Sequence, residues 1–151
     1  MLIRDMTAAD VGAVMEIERA SFSDPWTENM FLNDLAQEIA VYRVAVEDGR
    51  PVGYMGMYHV ADEGHITNIA VLPVWRGRGV ASALLQSFVE LALSRRLVFL
   101  TLEVRQSNLG AQALYRRHGF CPAGVRKNYY RDPVEDAILM TWKLTEEESQ
   151  K

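Results

Sequence analysis

Ile69-Ala70-Val71-Leu72-Pro73-Val74-Trp75-Arg76-Gly77-Arg78-Gly79-Val80-Ala81-Ser82-Ala83-Leu84-Leu85 is the stretch around which the chain is organised. Its first five residues read as an apolar strand stopped by proline. A short loop of glycine and arginine follows. An amphipathic helix then begins, because Val80, Leu84, Phe88 and Leu91 or Ala92 recur at helical spacing. Strand, glycine loop and helix start together make an anion site, since small residues let backbone N–H groups converge and the helix end adds positive potential. The helix start has no Ser, Thr, Asp or Asn cap and no first-turn acid, but has Arg76 and Arg78 beside it. A bound phosphate would relieve that charge conflict; the alternative is a solvated basic turn. The loop is no nucleotide P-loop, lacking Gly-Lys-Ser/Thr, and it fails the dinucleotide spacing.

The rest of the chain bounds the class. Its 151 residues suit one domain with its own core, and 49% are hydrophobic. The net charge of −4 makes the basic loop a local feature and speaks against a nucleic-acid partner. The single cysteine, Cys121, permits no internal disulfide, and His59, His65 and His118 are scattered without metal-ligand spacing. Thus no metal is expected. Arg4 and Asp5 interrupt any signal peptide, and no apolar run approaches a membrane span. A cytoplasmic setting without a membrane partner is the expectation; oligomeric state is left open.

Taken in order, Leu2–Met6 reads as a strand and Thr7–Asp10 as a capping box. The helix after it sets Val11, Val14 and Met15 on an apolar face against Glu18 and Arg19 on a polar one. Thr27 caps a second helix with Phe31, Leu32 and Leu35 on its apolar face. Between them, Phe22 and Trp26 flank Pro25, as a hydrophobic staple or as the wall of a substrate groove. Residues 41–46 and 51–60 form a hairpin around Glu47-Asp48-Gly49-Arg50, with Gly53 and Gly56 marking bulges or close backbone approach. Leu97–Val104 is apolar on both faces and predicts a buried central strand. Glu103 sits near its end. A carboxylate there is costly unless paired, and desolvation should raise its pKa. It is either a structural partner of Arg105 or a functional acid–base group. Asn108 caps a helix over 109–118, from whose middle Tyr115 projects, by default a core aromatic with its hydroxyl at the edge; Gly119 ends it. Two strands close the chain around an Arg131–Val134 turn, with Asn128 and Tyr130 near that turn. Residues 1–145 form the domain, and 146–151 a polar tail. The whole is a single-domain α/β fold, a mixed sheet with helices on both faces.

Two motifs support a family. Arg76-Gly77-Arg78-Gly79-Val80-Ala81 resembles the Arg/Gln-x-x-Gly-x-Gly/Ala loop of the GCN5-related N-acetyltransferases (GNAT), and Asn108 with Ala111–Phe120 resembles their Asn…Ala-x-x-Leu-Tyr-x-x-x-Gly-Phe block. The resemblance runs from Ile3 to Leu144. It implies a GNAT fold: a mostly antiparallel mixed sheet, splayed at a site for acetyl-coenzyme A as co-substrate. It implies that Ile69, Ala70, Val71, Arg76, Gly77, Arg78, Gly79, Val80, Ala81 and Asn108 hold that co-substrate. It implies Glu103 as general base and Tyr115 as general acid, with Phe22, Trp26, Asn128 and Tyr130 around the acceptor. Asn68–Val71, Leu102–Arg105, Arg126–Tyr130 and Glu135–Ala137 are similar to the RimI-type branch. That likeness implies a protein partner as substrate, the N-terminal alanine of small-subunit ribosomal protein eighteen. Transfer to a lysine or small-molecule amine is the alternative within the family. A coenzyme-A-binding regulatory module is the non-enzymatic alternative, and Glu103 and Tyr115 argue against it.

Overall fold

The computed structural model describes residues 1–144; the predicted polar tail lies outside the described residues. The elements are β1 (Leu2–Asp5), α1 (Val11–Ser21), α2 (Glu28–Leu35), β2 (Ala40–Glu47), β3 (Arg50–Val60), β4 (Glu63–Val71), α3 (Val80–Arg95), β5 (Phe99–Arg105), α4 (Leu109–Arg117), β6 (Cys121–Arg131) and β7 (Val134–Lys143). Single 3-10 turns at Ala8–Asp10 and Pro73–Trp75 complete the chain's regular structure among the described residues. The seven strands form one sheet in the order β1-β2-β3-β4-β5-β7-β6.

The predicted splay is present in the pairing. β4 and β5 run parallel and are registered only over Glu63–His65 with Phe99–Thr101. All other described neighbours pair antiparallel. Beyond His65, a register shift opposite Gly56/Met57 puts Thr67 out of the ladder, and β4 departs from β5. The sheet therefore opens down its middle into a cleft.

Two cores lie on opposite faces. One packs α3 and α4 on the sheet through Val80, Leu84, Leu85, Phe88, Leu100, Leu102, Val104 and Tyr115. The other packs α1 and α2 through Val11, Val14, Ile17, Phe31, Tyr42, Val44 and Tyr54. The glycine reading of β3 holds. A Cβ on Gly56 would lie 2.7 Å from Cζ of Tyr42, and one on Gly53 would lie 2.9 Å from Cγ1 of Val80. A side chain at either position would force those neighbours to move. Thr27 caps α2 as expected, its Oγ1 accepting from the Met30 N–H at 3.2 Å. Asp10 accepts from the Thr7 N–H at 2.8 Å.

Three expectations need correction. β5 is not buried on both faces: it alternates, because the cleft leaves the Phe99, Thr101, Glu103 and Arg105 side half-covered. Leu32 is exposed, while Phe31 alone is fully buried in α2. Glu18 is not on a polar face; it is buried with α1's apolar stripe.

Candidate active site

The glycine loop and the N-terminus of α3 form one wall of a cavity of about 610 Å³; Val71, and Gly110, Ala111, Leu114 and Arg117 from α4, form the others. Gly77 (φ +74°) and Gly79 (φ +83°) hold left-handed backbone that a side chain would strain. Space is open where either Cβ would project. Gly79 is the N-cap of α3, without a side-chain cap and without an acid in the first turn. A negative group suits this end.

Of the predicted co-substrate residues, Val71, Arg76, Gly77, Gly79, Val80 and Ala81 line this cavity. Arg78 does not; its guanidinium stacks on Trp75 at 4.9 Å. Arg76 also ties the loop down, donating from Nε to the Val71 carbonyl at 3.1 Å and from Nη2 to Ser21 Oγ at 3.3 Å. Ala70 is buried in the α1–α2 core. Ile69 and Asn108 face a different space, and the Asn108 side chain caps α4 by accepting from the Ala111 N–H at 3.1 Å.

That second cavity, about 450 Å³, lies in the split, between residues 67–69 of β4 and 103–105 of β5. β4 and α4 supply walls to both spaces, Val71 and Leu114 to the first, Ile69 and Tyr115 to the second. Glu103, Tyr115, Phe22, Trp26 and Tyr130 all converge on it. Asn128 does not. It sits at φ +53°, and its N–H donates to Asp136 Oδ1 at 2.8 Å, which shapes the bend in β6. Residues that sequence reasoning missed also line it, Glu18, Asp24, Thr67 and Asn68 among them.

Glu103 lines this cavity with its side chain 8% exposed, alongside the more deeply buried Glu18. The Arg105 pairing is overturned: Arg105 reaches Glu135 at 3.2 Å and the Pro133 carbonyl at 3.0 Å, and its guanidinium lies over the Tyr130 ring. Glu103 instead bonds His65 Nε2 through Oε2 at 2.7 Å and Arg126 Nε through Oε1 at 3.1 Å. Burial alone would raise its pKa, as expected from the sequence. The hydrogen bond and charge of His65, joined by Arg126, outweigh it and hold the carboxyl below its ordinary value. Glu103 is thus ionised at neutral pH.

Tyr115 is 5% exposed, tilted against Phe120, and burial pushes its phenol up to about 12. It is a neutral donor throughout the physiological range. Glu18 is 1% exposed. Its Oε2 accepts from the Trp26 N–H at 2.9 Å, and its Oε1 accepts a short hydrogen bond from the Tyr54 hydroxyl. Burial, then the Glu18 carboxylate, keeps the Tyr54 phenol far above its ordinary value, so it remains the donor. Glu18 thereby fixes the link between α1 and α2, which carries Phe22 and Trp26.

A parallel strand pair thus parts beside a glycine loop, with an ionised carboxylate and a neutral phenol lining the cavity in the split. The family model for the acetyltransferase (GNAT) family matches residues 11–120, and the chain belongs to that family. It is therefore an acetyl-coenzyme-A-dependent acetyltransferase. A Bacillus subtilis protein provisionally named [ribosomal protein bS18]-alanine N-acetyltransferase is 43% identical over 145 residues, spanning 95% of this chain and 96% of its own. The Escherichia coli [ribosomal protein bS18]-alanine N-acetyltransferase is 34% identical over 145 residues, 95% of this chain and 97% of its own. The crystal structure of the ribosomal-protein-S18-alanine N-acetyltransferase from Escherichia coli superposes with a TM-score of 0.88 at 33% identity, covering 95% of this chain and 94% of that one. Ard1 from Thermoplasma volcanium superposes at 0.86 with 28% identity over 96% and 98%.

Proposed function

We propose that this acetyltransferase modifies the α-amine of a protein N-terminus, an N-terminal alanine of the small-subunit ribosomal protein that the relatives' names specify. The observation that carries the reading is the position of Glu103: a shielded, ionised carboxylate lining an aromatic-walled cavity in the strand split, next to the cavity that suits the co-substrate. An α-amine has a reference pKa of about 8 and a lysine amine about 10.4. At pH 7 roughly a tenth of α-amines are neutral, against under a thousandth of lysine amines. A site whose carboxylate is held below its ordinary value is a weak base, and it suits the easier nucleophile.

The residues divide the work. Glu103 accepts the amine's proton, directly or through one water, as nitrogen attacks the thioester carbonyl. The leaving thiolate has a conjugate acid near 8.5 by analogy with cysteine. Tyr115, at about 12, favours donating a hydrogen bond to that sulfur over giving up its proton outright, since full transfer is uphill by roughly 3.5 units, about 5 kcal/mol. Phe22, Trp26 and Tyr130 narrow the cavity around the amine and favour a small first side chain. An extended peptide there can use main-chain hydrogen bonds for affinity.

Steady-state kinetics test the groove. Trp26→Ala and Tyr130→Ala should each raise KM for an Ala-initiated peptide about tenfold, with KM for acetyl-coenzyme A within twofold of the parent. Equal rises for both substrates would place these side chains outside the acceptor groove.

A further inference from the structure

Ser82, Gln86 and Glu90 stand four residues apart on α3 and so form one row along it. His118 follows the last turn of α4, and Gly119 beside it takes φ +95°, which ends the helix there. The His118 ring lies against the α3 row. Its Nε2 is 2.7 Å from Ser82 Oγ, and its Nδ1 is 3.1 Å from Gln86 Oε1. Gln86 in turn donates from Nε2 to Glu90 Oε1 at 3.5 Å. Among the described residues, no other side-chain hydrogen bond joins α3 to α4 or its end.

These partners set the direction of each proton. A carboxylate accepts, so the Gln86 amide turns its NH2 to Glu90 and its oxygen to His118. That oxygen takes an N–H from Nδ1. Burial, and then the Arg117 charge, lower the His118 pKa, so the ring is neutral at pH 7 and keeps a lone pair on Nε2. Ser82 therefore donates its O–H to His118.

The place of this bond in the fold gives it a function. β4 leads through the glycine loop into α3, and β5 leads into α4. The two strands are registered only over Glu63–His65 and Phe99–Thr101; beyond that, no ladder bond joins the β4–α3 half to the β5–α4 half. The Ser82–His118 bond joins them instead. Ser82 itself lines the co-substrate cavity, and Ala111, Leu114 and Arg117 of α4 line it too.

We propose that His118 is a positioning residue for acetyl-coenzyme A: through the Ser82 hydroxyl it fastens α4 to the start of α3 and holds the co-substrate cavity at its binding width. This rests on the assignment of that cavity to the co-substrate. A ligand that bridges two unfastened walls must itself bring them together, and that ordering costs affinity. The loss is bounded by the worth of one hydrogen bond, about tenfold in Kd.

Isothermal titration calorimetry with coenzyme A tests this, at a temperature where circular dichroism shows every variant folded. Ser82→Ala and His118→Ala should each weaken binding about five- to tenfold. Both remove the same bond, so the double variant should match the weaker single one within about twofold. His118→Gln offers an oxygen to the Ser82 hydroxyl and should bind between the parent and His118→Ala. In steady-state kinetics, KM for acetyl-coenzyme A should rise with Kd in the alanine variants, and KM for an Ala-initiated peptide should not follow it. Parent-like affinity in either alanine variant overturns the role of the bond, and so does a double variant weakened by the product of the single losses. His118→Gln binding no tighter than His118→Ala overturns it as well. Equal rises in the two Michaelis constants show a general loosening and overturn the positioning role. A parent protein that binds no coenzyme A overturns the cavity assignment and this inference with it.

Discussion

Glu18→Gln is the substitution whose consequence reaches from the fold to turnover. The carboxylate accepts two hydrogen bonds in a site 1% exposed, from the Trp26 N–H at 2.9 Å and from the Tyr54 hydroxyl. An amide offers one acceptor and one donor, so its oxygen can still take the Trp26 N–H while the Tyr54 hydroxyl must turn from donor to acceptor, and both bonds lose their charge. A hydrogen bond to a charged group contributes about 1.5–3 kcal/mol, against about 0.5–1.5 kcal/mol for a neutral one. The variant should therefore lose about 3 kcal/mol, or about 6–12 °C in melting temperature for a chain of this size. Tyr54→Phe removes one donor and leaves the carboxylate bound to Trp26; it should cost about 2 kcal/mol. The two changes share one network, so the double variant should be less destabilised than the sum by about 1 kcal/mol or more. The assay is calorimetric or denaturant unfolding, paired with kinetics on the Ala-initiated peptide. Because Trp26 hangs on this network, KM for peptide should rise in Glu18→Gln while KM for acetyl-coenzyme A stays within twofold. Additive stability losses, or a peptide KM unmoved, would refute the claim that Glu18 holds the groove wall.

Two further outcomes follow from the same structure. Gly56→Ala drives a methyl into the Tyr42 ring, which Asp34 pins at 2.6 Å, and should cost about 3 kcal/mol in unfolding experiments. Tyr115→Phe keeps the ring against Phe120 and should melt within about 3 °C of the parent while turnover falls about a hundredfold, the lower end for loss of one hydrogen-bond donor to developing charge.

Much of this molecule is legible in its sequence because much of it is local. The strand–glycine loop–helix unit, the Thr27 and Asn108 caps and the close approaches at Gly53 and Gly56 follow from residue type and spacing. Tyr115 and Glu103 are picked out by motif and by the cost of burying them. What stays hidden is pairing across long sequence separations. Arg105 is the near neighbour of Glu103, but β7 brings Glu135 to Arg105, while β4 and β6 bring His65 and Arg126 to Glu103. The direction of the Glu103 pKa depends on those partners, so desolvation alone gives the wrong sign. Glu18 did leave a trace. It stands three or four residues after Val14 and Met15, on the stripe that α1 buries. A carboxylate on such a stripe requires a partner, and here that partner is the link bearing Trp26.

The acceptor amine can be read from one pair of peptides. A single peptide beginning with alanine and carrying an internal lysine is incubated with the protein and acetyl-coenzyme A, alongside the same peptide with its α-amine blocked. Mass spectrometry with fragment-ion localisation then reads the product. The free peptide should gain one acetyl group, on its α-amine, and the blocked one none. Efficient acetylation of the blocked peptide at lysine would contradict it.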